Sequence, residues 1–381
     1  MRNANYSNTW VDFACSKNNK KEDIDSFEDQ IGRTYNSRTL YDGMFGFGWS
    51  SGPETLLIVP GMEKEDSSHA NVDGIQLIWS GAGRQEDYFA VPADGGAICY
   101  RPRAGHLGIQ IRKTANGYIY TSNKGAQMEF DLGGRLLSRI SKAGAPKFTM
   151  TYNGRRLLRL ISSTKDELRY EYYSSGKVRH VDVLYDGNVT SSADYRYDDL
   201  ENLIWVKNAW GNVYSFSYDA IHDLTKATFP DDTYIHLRYD TIHDWVTAFQ
   251  DREGGVELYD YDEDRDGTEH NWSLVTKIFA GGEIVARSRY EFWYSFSEPV
   301  GNYLQRVASV VNSEFTEVSY EKLSGIPETF TKNSLTARGI WNANHDLVHV
   351  EQTRSKPPPY GGFLIRQFSM PPDSAYPHGE N

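Results

Sequence analysis

The sequence predicts an all-β fold built from a repeated hairpin, on three observations. Aromatic anchors recur at Phe130, Tyr152, Tyr172, Tyr197, Tyr218, Tyr239, Tyr261, Tyr320 and Trp341, with spacings of 22, 20, 25, 21, 21, 22, 59 and 21. Two residues before them stand Met128, Met150, Tyr170, Tyr195, Phe216, Leu237, Tyr259 and Val318, a series broken only by Gly339. Six residues after them stand Leu136, Leu158, Val178, Leu203, Leu224, Trp245, Ile326 and Leu347, a series broken only by Gly267. A period of about twenty residues marks a repeat architecture.

Each unit reads as strand, tight turn, strand. Apolar residues at i and i−2 share one face, because side chains alternate across a pleat. Turn formers follow each anchor: Asp131-Leu-Gly-Gly, Asn153-Gly, Ser174-Ser-Gly, Asp219-Ala-Ile-His-Asp and Asp240-Thr-Ile-His-Asp. Gly, Asn and Asp tolerate positive φ, and Asx side chains accept from their own backbone. The apolar residue at +6 then starts the return strand. One hairpin cannot bury its own face, but nine in series can share one. Tyrosine suits the anchor, since it buries a large ring while its hydroxyl reaches the wet edge of the sheet.

In chain order, residues 1–30 carry the polar run KNNKKEDIDSFEDQ, where low order is expected. Residues 31–125 hold short β-type runs between Gly and Asp clusters. With the leading residues they read as a small β domain, 1–125, that caps one end of the ribbon, because an open sheet edge invites pairing with other chains. Residues 126–350 are the repeat ribbon. Its beat breaks over 266–312, where RYEFWYSF (Arg289 to Phe296) marks an insertion or a degenerate unit. Residues 351–381 are proline-rich, and proline removes ladder donors, so a disordered tail is expected.

Units such as YSFSYDAIHDLTKATFPDDTYIHLRYDTIHDWVTAFQDREGGVELYDYD resemble the YD repeats of Rhs proteins, which also occur in teneurins and in insecticidal toxin complexes. RTYNSRTLYDGMFGFGWSS, Arg33 to Ser51, resembles the lead-in segment that precedes YD repeats in secreted bacterial Rhs proteins. The resemblance spans roughly residues 1–350. It implies a β ribbon wound into a spiral shell around a cargo. It also implies an extracellular or cell-envelope location, further YD repeats or an enclosed cargo domain as partners, and a truncated copy or fragment of a larger protein. Self-processing shells of the family carry a DPxG-type motif. No Asp-Pro occurs here, so self-cleavage is not supported.

Composition bounds the function. A net charge of −12 argues against nucleic acid and anionic membrane surfaces as partners. No apolar run has the length of a membrane-spanning helix, so no membrane insertion is expected. MRNANYSNTWVDF lacks the features of a signal peptide. Cys15 and Cys99 permit at most one intramolecular disulfide, and free thiols are the simpler reading.

Four groups of residues suggest chemistry. Asp262, Asp264 and Asp266, followed by Gly267, match the front half of a calcium loop, but Ser273 stands where a bidentate Glu belongs; the alternative is an acidic turn. Gly48-Trp-Ser50-Ser-Gly52 fits G-x-S-x-G, yet Pro53 and the absence of helical periodicity argue for close packing. His222-Asp223, His243-Asp244 and His345-Asp346 recur at one repeat position, which a shared left-handed turn explains better than dyads do. Arg33, Tyr35, Asn36 and Arg38 form a polar cluster expected to make buried hydrogen bonds and an Arg–aromatic stack.

No catalytic residue and no cofactor other than calcium is expected. The reading is a non-enzymatic scaffold or surface protein. The alternative is an adhesin that binds a glycan or cell surface through Trp205, Trp210 and Trp245. An enzyme fragment and a functionless remnant are further readings.

Overall fold

The computed structural model describes residues 4–13, 31–59, 74–79, 84–92, 98–102, 109–123, 125–141, 144, 146–163, 165–262, 270–297, 301–322, 325–342 and 347–354. The polar run within 1–30, the whole stretch after Arg354, Cys15, Asp264, Asp266 and His345-Asp346 lie outside the described residues; of the tail expected to be disordered, residues 351–354 are instead paired as the end of the last strand.

The fold is all-β, as the repeat predicts. Strands are numbered β1 to β31 along the chain. Twenty-six of them, from β6 (Leu56–Ile58) to β31 (Leu347–Arg354), form one antiparallel sheet in which each strand pairs with the next. The sheet closes on itself near its start. Leu56 bridges Arg135, and the Leu57 N–H donates to Gly134 O at 2.8 Å. This brings β6 against the turn that opens β13 (Leu136–Ile140), so eight strands complete one circuit. Gly134 is required there. Its φ is +80°, and a Cβ would stand 1.9 Å from Leu57 O.

Strand pairing does not break at residue 125, where the sequence reading divides the chain. β11 (Gly117–Thr121) pairs with β12 (Gln127–Asp131) from Gly117↔Asp131 to Thr121↔Gln127. The strands from β6 to β11 pair each with the next, so they extend the same sheet. The separate element is made of residues 4–13 and 31–54. It comprises a three-stranded sheet of β1 (Ser7–Phe13), β2 (Ile31–Asn36) and β5 (Trp49–Ser51), and a small hairpin of β3 (Asp42–Gly43) and β4 (Gly46–Phe47). We call it the plug. It does not cap an end of the ribbon but lies along it, touching units from Tyr172 to Phe249.

Within the ribbon, a β-bulge immediately precedes Phe130, Tyr152, Tyr172, Tyr197, Tyr218, Tyr239, Tyr320 and Trp341. Tyr261 pairs with Ser273 without one. The bulge strengthens the local twist and helps the ribbon curl. The aspartate after the anchor then builds the turn. The Oδ1 atoms of Asp131, Asp198, Asp219 and Asp240 accept backbone N–H groups two to four residues on. The +6 spacing holds for most units but slips in three, one of them at Tyr320, which pairs with Pro327 rather than Ile326. Asn153-Gly154 makes a tighter turn, so Tyr152 pairs with buried Leu157 while Leu158 is exposed. Tyr239 pairs with Val246 after a turn one residue longer, and Trp245 and Val246 are both buried.

The anchor hydroxyls do not reach for water. Five anchor tyrosines donate to the carbonyl of the residue that starts the previous return strand. The bonds are Tyr152 to Leu136 at 2.7 Å, Tyr172 to Leu157 at 2.6 Å, Tyr218 to Leu203 at 2.8 Å, Tyr239 to Leu224 at 3.0 Å and Tyr261 to Val246 at 2.7 Å. The Trp341 indole N–H donates to Pro327 O at 3.0 Å in the same manner. Each latch ties one unit to the next across about fifteen residues of chain and removes a carbonyl from the list of unsatisfied groups. Tyr197 follows the 25-residue spacing, and its buried hydroxyl has no hydrogen-bond partner among the described residues.

Candidate functional site

The best-defined constellation of polar groups lies where the plug meets the ribbon. Arg33 on β2 is fully buried, as is Asp12 on β1. Arg33 Nε donates to Asp12 Oδ2 at 2.6 Å and Nη2 donates to Oδ1 at 3.0 Å. The guanidinium lies 4.8 Å from the Trp49 ring centre, 5.5 Å from Phe216 and 5.8 Å from Tyr195. The Tyr195 hydroxyl donates to Asp12 Oδ2 at 3.0 Å. A charge pair taken out of water needs this density of hydrogen bonds and aromatic faces to break even. Burial raises the Tyr195 hydroxyl well above its ordinary range, and Asp12 adds to the shift, so the phenol remains a donor.

The plug reads the repeats one by one, because each bulge leaves the first N–H of the return strand facing inward. Val178 N–H donates to Met44 O at 2.8 Å, Leu224 N–H to the Tyr35 hydroxyl at 2.9 Å, and Val246 N–H to Ala4 O at 3.1 Å. From the opposite rim, Ala209 N–H donates to Asp12 O at 2.9 Å. The Trp49 indole N–H donates to the Tyr218 hydroxyl at 2.8 Å, so that hydroxyl serves both its latch and the plug. Trp10 meets Phe216 edge-on at 5.5 Å, Phe45 meets Tyr195 at 5.1 Å, and Tyr6 stacks on Phe249 at 5.8 Å.

Two carboxyl groups at this junction are pushed up to about 7. For Asp223 the main cause is burial, with the negative charges of Asp219 and Asp244 adding to it. Asp223 is 5% exposed, and its Oδ2 has no hydrogen-bond partner among the described residues. For Glu54 the cause is again burial. The N–H groups of Met44 and Ser51, at 2.7 Å each, the Tyr41 hydroxyl at 3.1 Å and the charge of Lys177 all oppose it. Lys177, itself buried, ion-pairs with Asp42 and lies 3.6 Å from Glu201.

The residues singled out by sequence fall in different places. Arg33 and Tyr35 are buried in the plug core, and Asn36 Oδ1 accepts from Arg38 N–H at 3.0 Å while Arg38 is exposed. Gly48 has φ +76°, and a Cβ there would stand 2.6 Å from the Tyr35 ring. Ser50 lies on β5 opposite Thr34, and a single 3-10 turn, Gly52–Glu54, follows instead of a helix. His222 takes the left-handed conformation, φ +74°, but in the next unit Asp244 does so at +54°, because that turn is one residue longer. His222 Nδ1 lies 2.7 Å from Asn202 Oδ1 and its ring packs on Phe47; His243 stacks on Trp245. Of the calcium-loop residues only Asp262 is described, and its N–H donates to Trp272 O at 3.1 Å. Among the described residues no three His, Cys, Asp or Glu side chains converge.

The three tryptophans expected on a glycan face do not share one. Trp245 is 4% exposed and packs edge-on against Tyr261. Its position at +6 makes it core. Trp205 lies under the Arg196 guanidinium at 4.3 Å, and only Trp210 stands largely in solvent. Asp12 and Glu54 carried no sequence signal, because their partners are set by the fold, and Asp223 stood out only as part of a recurring turn. The buried thiol of Cys99 donates to Gln110 Oε1 at 3.4 Å.

No family model matches the chain, and no curated protein matches it. Solved structures give weak likenesses. A structure of the Photorhabdus luminescens Tc holotoxin pore matches with a TM-score of 0.40 and 12% identity, over 74% of this chain and 18% of that one. Crystal structures of TcdB2-TccC3-TEV and TcdB2-TccC3 match with TM-scores of 0.38 and 0.37 and identities of 12% and 10%. They cover 74% and 84% of this chain, which spans 19% and 24% of their lengths. Likenesses at this level say nothing of function.

Proposed function

We infer that the chain is a non-enzymatic scaffold of the Rhs type, a ribbon whose work is to enclose polypeptide, and that it is a portion of a larger shell. One observation carries this reading: the ribbon already wraps a segment of its own chain. It holds the plug by a bond from each of several successive units, with a charge pair sealed from water at the centre. Asp12, Arg33, Glu54 and Lys177 at the junction are engaged in holding segments together, which is what a scaffold needs. The resemblance in sequence to YD-repeat proteins points the same way, and with it to an extracellular or envelope location.

Limited proteolysis of the native chain tests enclosure. Bonds within 31–54 are expected to stay uncut until the ribbon unfolds, because a protease needs an opened segment. Cleavage there while the ribbon stays intact would defeat the reading. So would a robust turnover abolished by a single polar substitution in the plug.

A further inference from the structure

Among the described residues the ribbon sheet leaves one edge open. At its start, β6 is held by Gly134 and Arg135. At the other end, β31 pairs with β30 (Leu335–Trp341) alone. All eight residues of β31 are exposed, among them Leu347 at 50%, Val348 at 58% and Val350 at 42%. A strand of this length with a row of unpaired backbone groups is a template for another strand. Proline and lysine ordinarily blunt such an edge, and β31 contains neither.

The direction of those backbone groups follows from the preceding hairpin. Lys332 and Leu335 flank a two-residue turn, so they exchange both of their hydrogen bonds. Bonded and non-bonded pairs then alternate along β30. Thr336, Arg338 and Ile340 turn their backbone groups to β31, where they meet Thr353, Glu351 and His349. Val350, Gln352 and Arg354 therefore turn theirs to the open edge.

We propose that a second copy of the chain pairs antiparallel with β31, about a two-fold axis through Val350, and so extends the shell; this rests on the scaffold reading above. The axis through Val350 sets His349 beside the second copy's Glu351, twice by symmetry, and Val348 beside its Gln352. An axis through Glu351 would set carboxylate directly against carboxylate, which is destabilising. An axis nearer either end of the strand pairs fewer residues. The two-fold axis stands normal to the sheet. Inner face therefore continues into inner face, and strands stay antiparallel across the join. A spiral has two-fold axes normal to its surface, so the second copy carries the curve on with the same hand. One strand pair buries less than a standard interface of about 1,600 Å². The dimer is therefore weak, dissociating in the micromolar range.

Sedimentation of the full chain from about 1 to about 200 µM, a span that brackets this affinity, tests the proposal. A concentration-dependent dimer is expected. Val350→Pro removes only a backbone donor that faces the open edge, so this variant should be monomeric with unchanged melting. Val350→Cys should cross-link the dimer on oxidation, because bonded partners stand about 5.5 Å apart at Cα, within disulfide range. Gln352→Cys should not, since its two copies are displaced along the strands. The parent oxidised in parallel accounts for Cys15 and Cys99. A monomer at every concentration, or a dimer indifferent to Val350→Pro, would overturn the proposal. Cross-linking by Gln352→Cys instead of Val350→Cys would overturn the register. Proteolysis within 31–54 in the same preparation keeps the two readings apart. A monomer with that segment protected overturns the dimer alone. A dimer with the segment freely cut overturns the scaffold reading, and with it the shell that the dimer extends.

Discussion

Arg33 and Asp12 form a two-point ion pair, at 2.6 and 3.0 Å, in which neither side chain reaches solvent. The pair joins the two long strands of the plug, and the ribbon's Tyr195 and Phe216 close over it. Removing one member strands the other. Arg33→Met is therefore expected to cost about 3–5 kcal/mol, the range for breaking a buried pair. The double substitution Arg33→Met/Asp12→Leu should recover a large part of that loss. Urea unfolding of the parent and the two variants measures both. A double variant no more stable than the single would show that the pair itself, rather than the charge left behind, carries the effect.

The hydroxyl of Tyr218 accepts from the Trp49 indole and donates to Leu203 O, whereas that of Tyr261 donates to Val246 O, so the two anchors separate the plug from the ribbon. Tyr218→Phe should cost about 2–3 kcal/mol, because the buried Trp49 indole N–H loses its acceptor, against about 1 kcal/mol for Tyr261→Phe. Equal losses in chemical denaturation would mean that the Trp49 bond contributes nothing.

Asp223 gives stability a defined pH dependence. Its carboxyl is raised from 3.8 to about 7 in the folded chain, so the fold binds a proton that the unfolded chain releases. The favourable contribution is fully present below about pH 4 and is lost as pH rises towards about 7. At roughly 1.4 kcal/mol per unit, this group alone removes up to about 4 kcal/mol over that window. Glu54 acts in the same direction. Asp223→Asn should flatten the slope and be more stable than the parent at pH 8. An unchanged slope between pH 4 and 7 would show that Asp223 is not the group responsible.

The anchor beat, the all-β class and the Asx turns were legible, because each depends on residues within one hairpin. Asp219 and Asp240 follow their tyrosines and cap the turns that the sequence suggests. One-residue slips were not legible. Leu157 and Leu158 are alike in type, and only the length of the turn at Asn153 decides which is buried. The inward direction of the anchor hydroxyls was missed as well, since the acceptor is a carbonyl of the previous unit. The site was half legible. Arg33 and Tyr35 stand out in the lead-in segment, but Trp49 meets Tyr218 across 169 residues and Tyr195 meets Asp12 across 183. No local pattern encodes such contacts. The plug consequently reads from sequence as a cap at one end, when its partners lie along the middle of the ribbon.

Gly134 holds the seam at which the first circuit closes. Gly134→Ala would place a Cβ on Leu57 O in a backbone conformation that disfavours any side chain. It should cost several kcal/mol, or open the seam, raising hydrogen exchange at Leu57 far more than at Leu237. Exchange at Leu57 like that of the parent would place the closure elsewhere.

Hydrogen exchange of the native chain, resolved to single amides, addresses the enclosed plug most directly. The informative amides are Val178, Ala209 and Val246, whose acceptors are plug carbonyls. Protection at these three equal to that of ribbon amides such as Val206 and Leu237, and lost with them in one transition, is the predicted result. Fast exchange at all three, with Val206 and Leu237 still protected, would mean that the plug leaves the ribbon independently and would contradict the account.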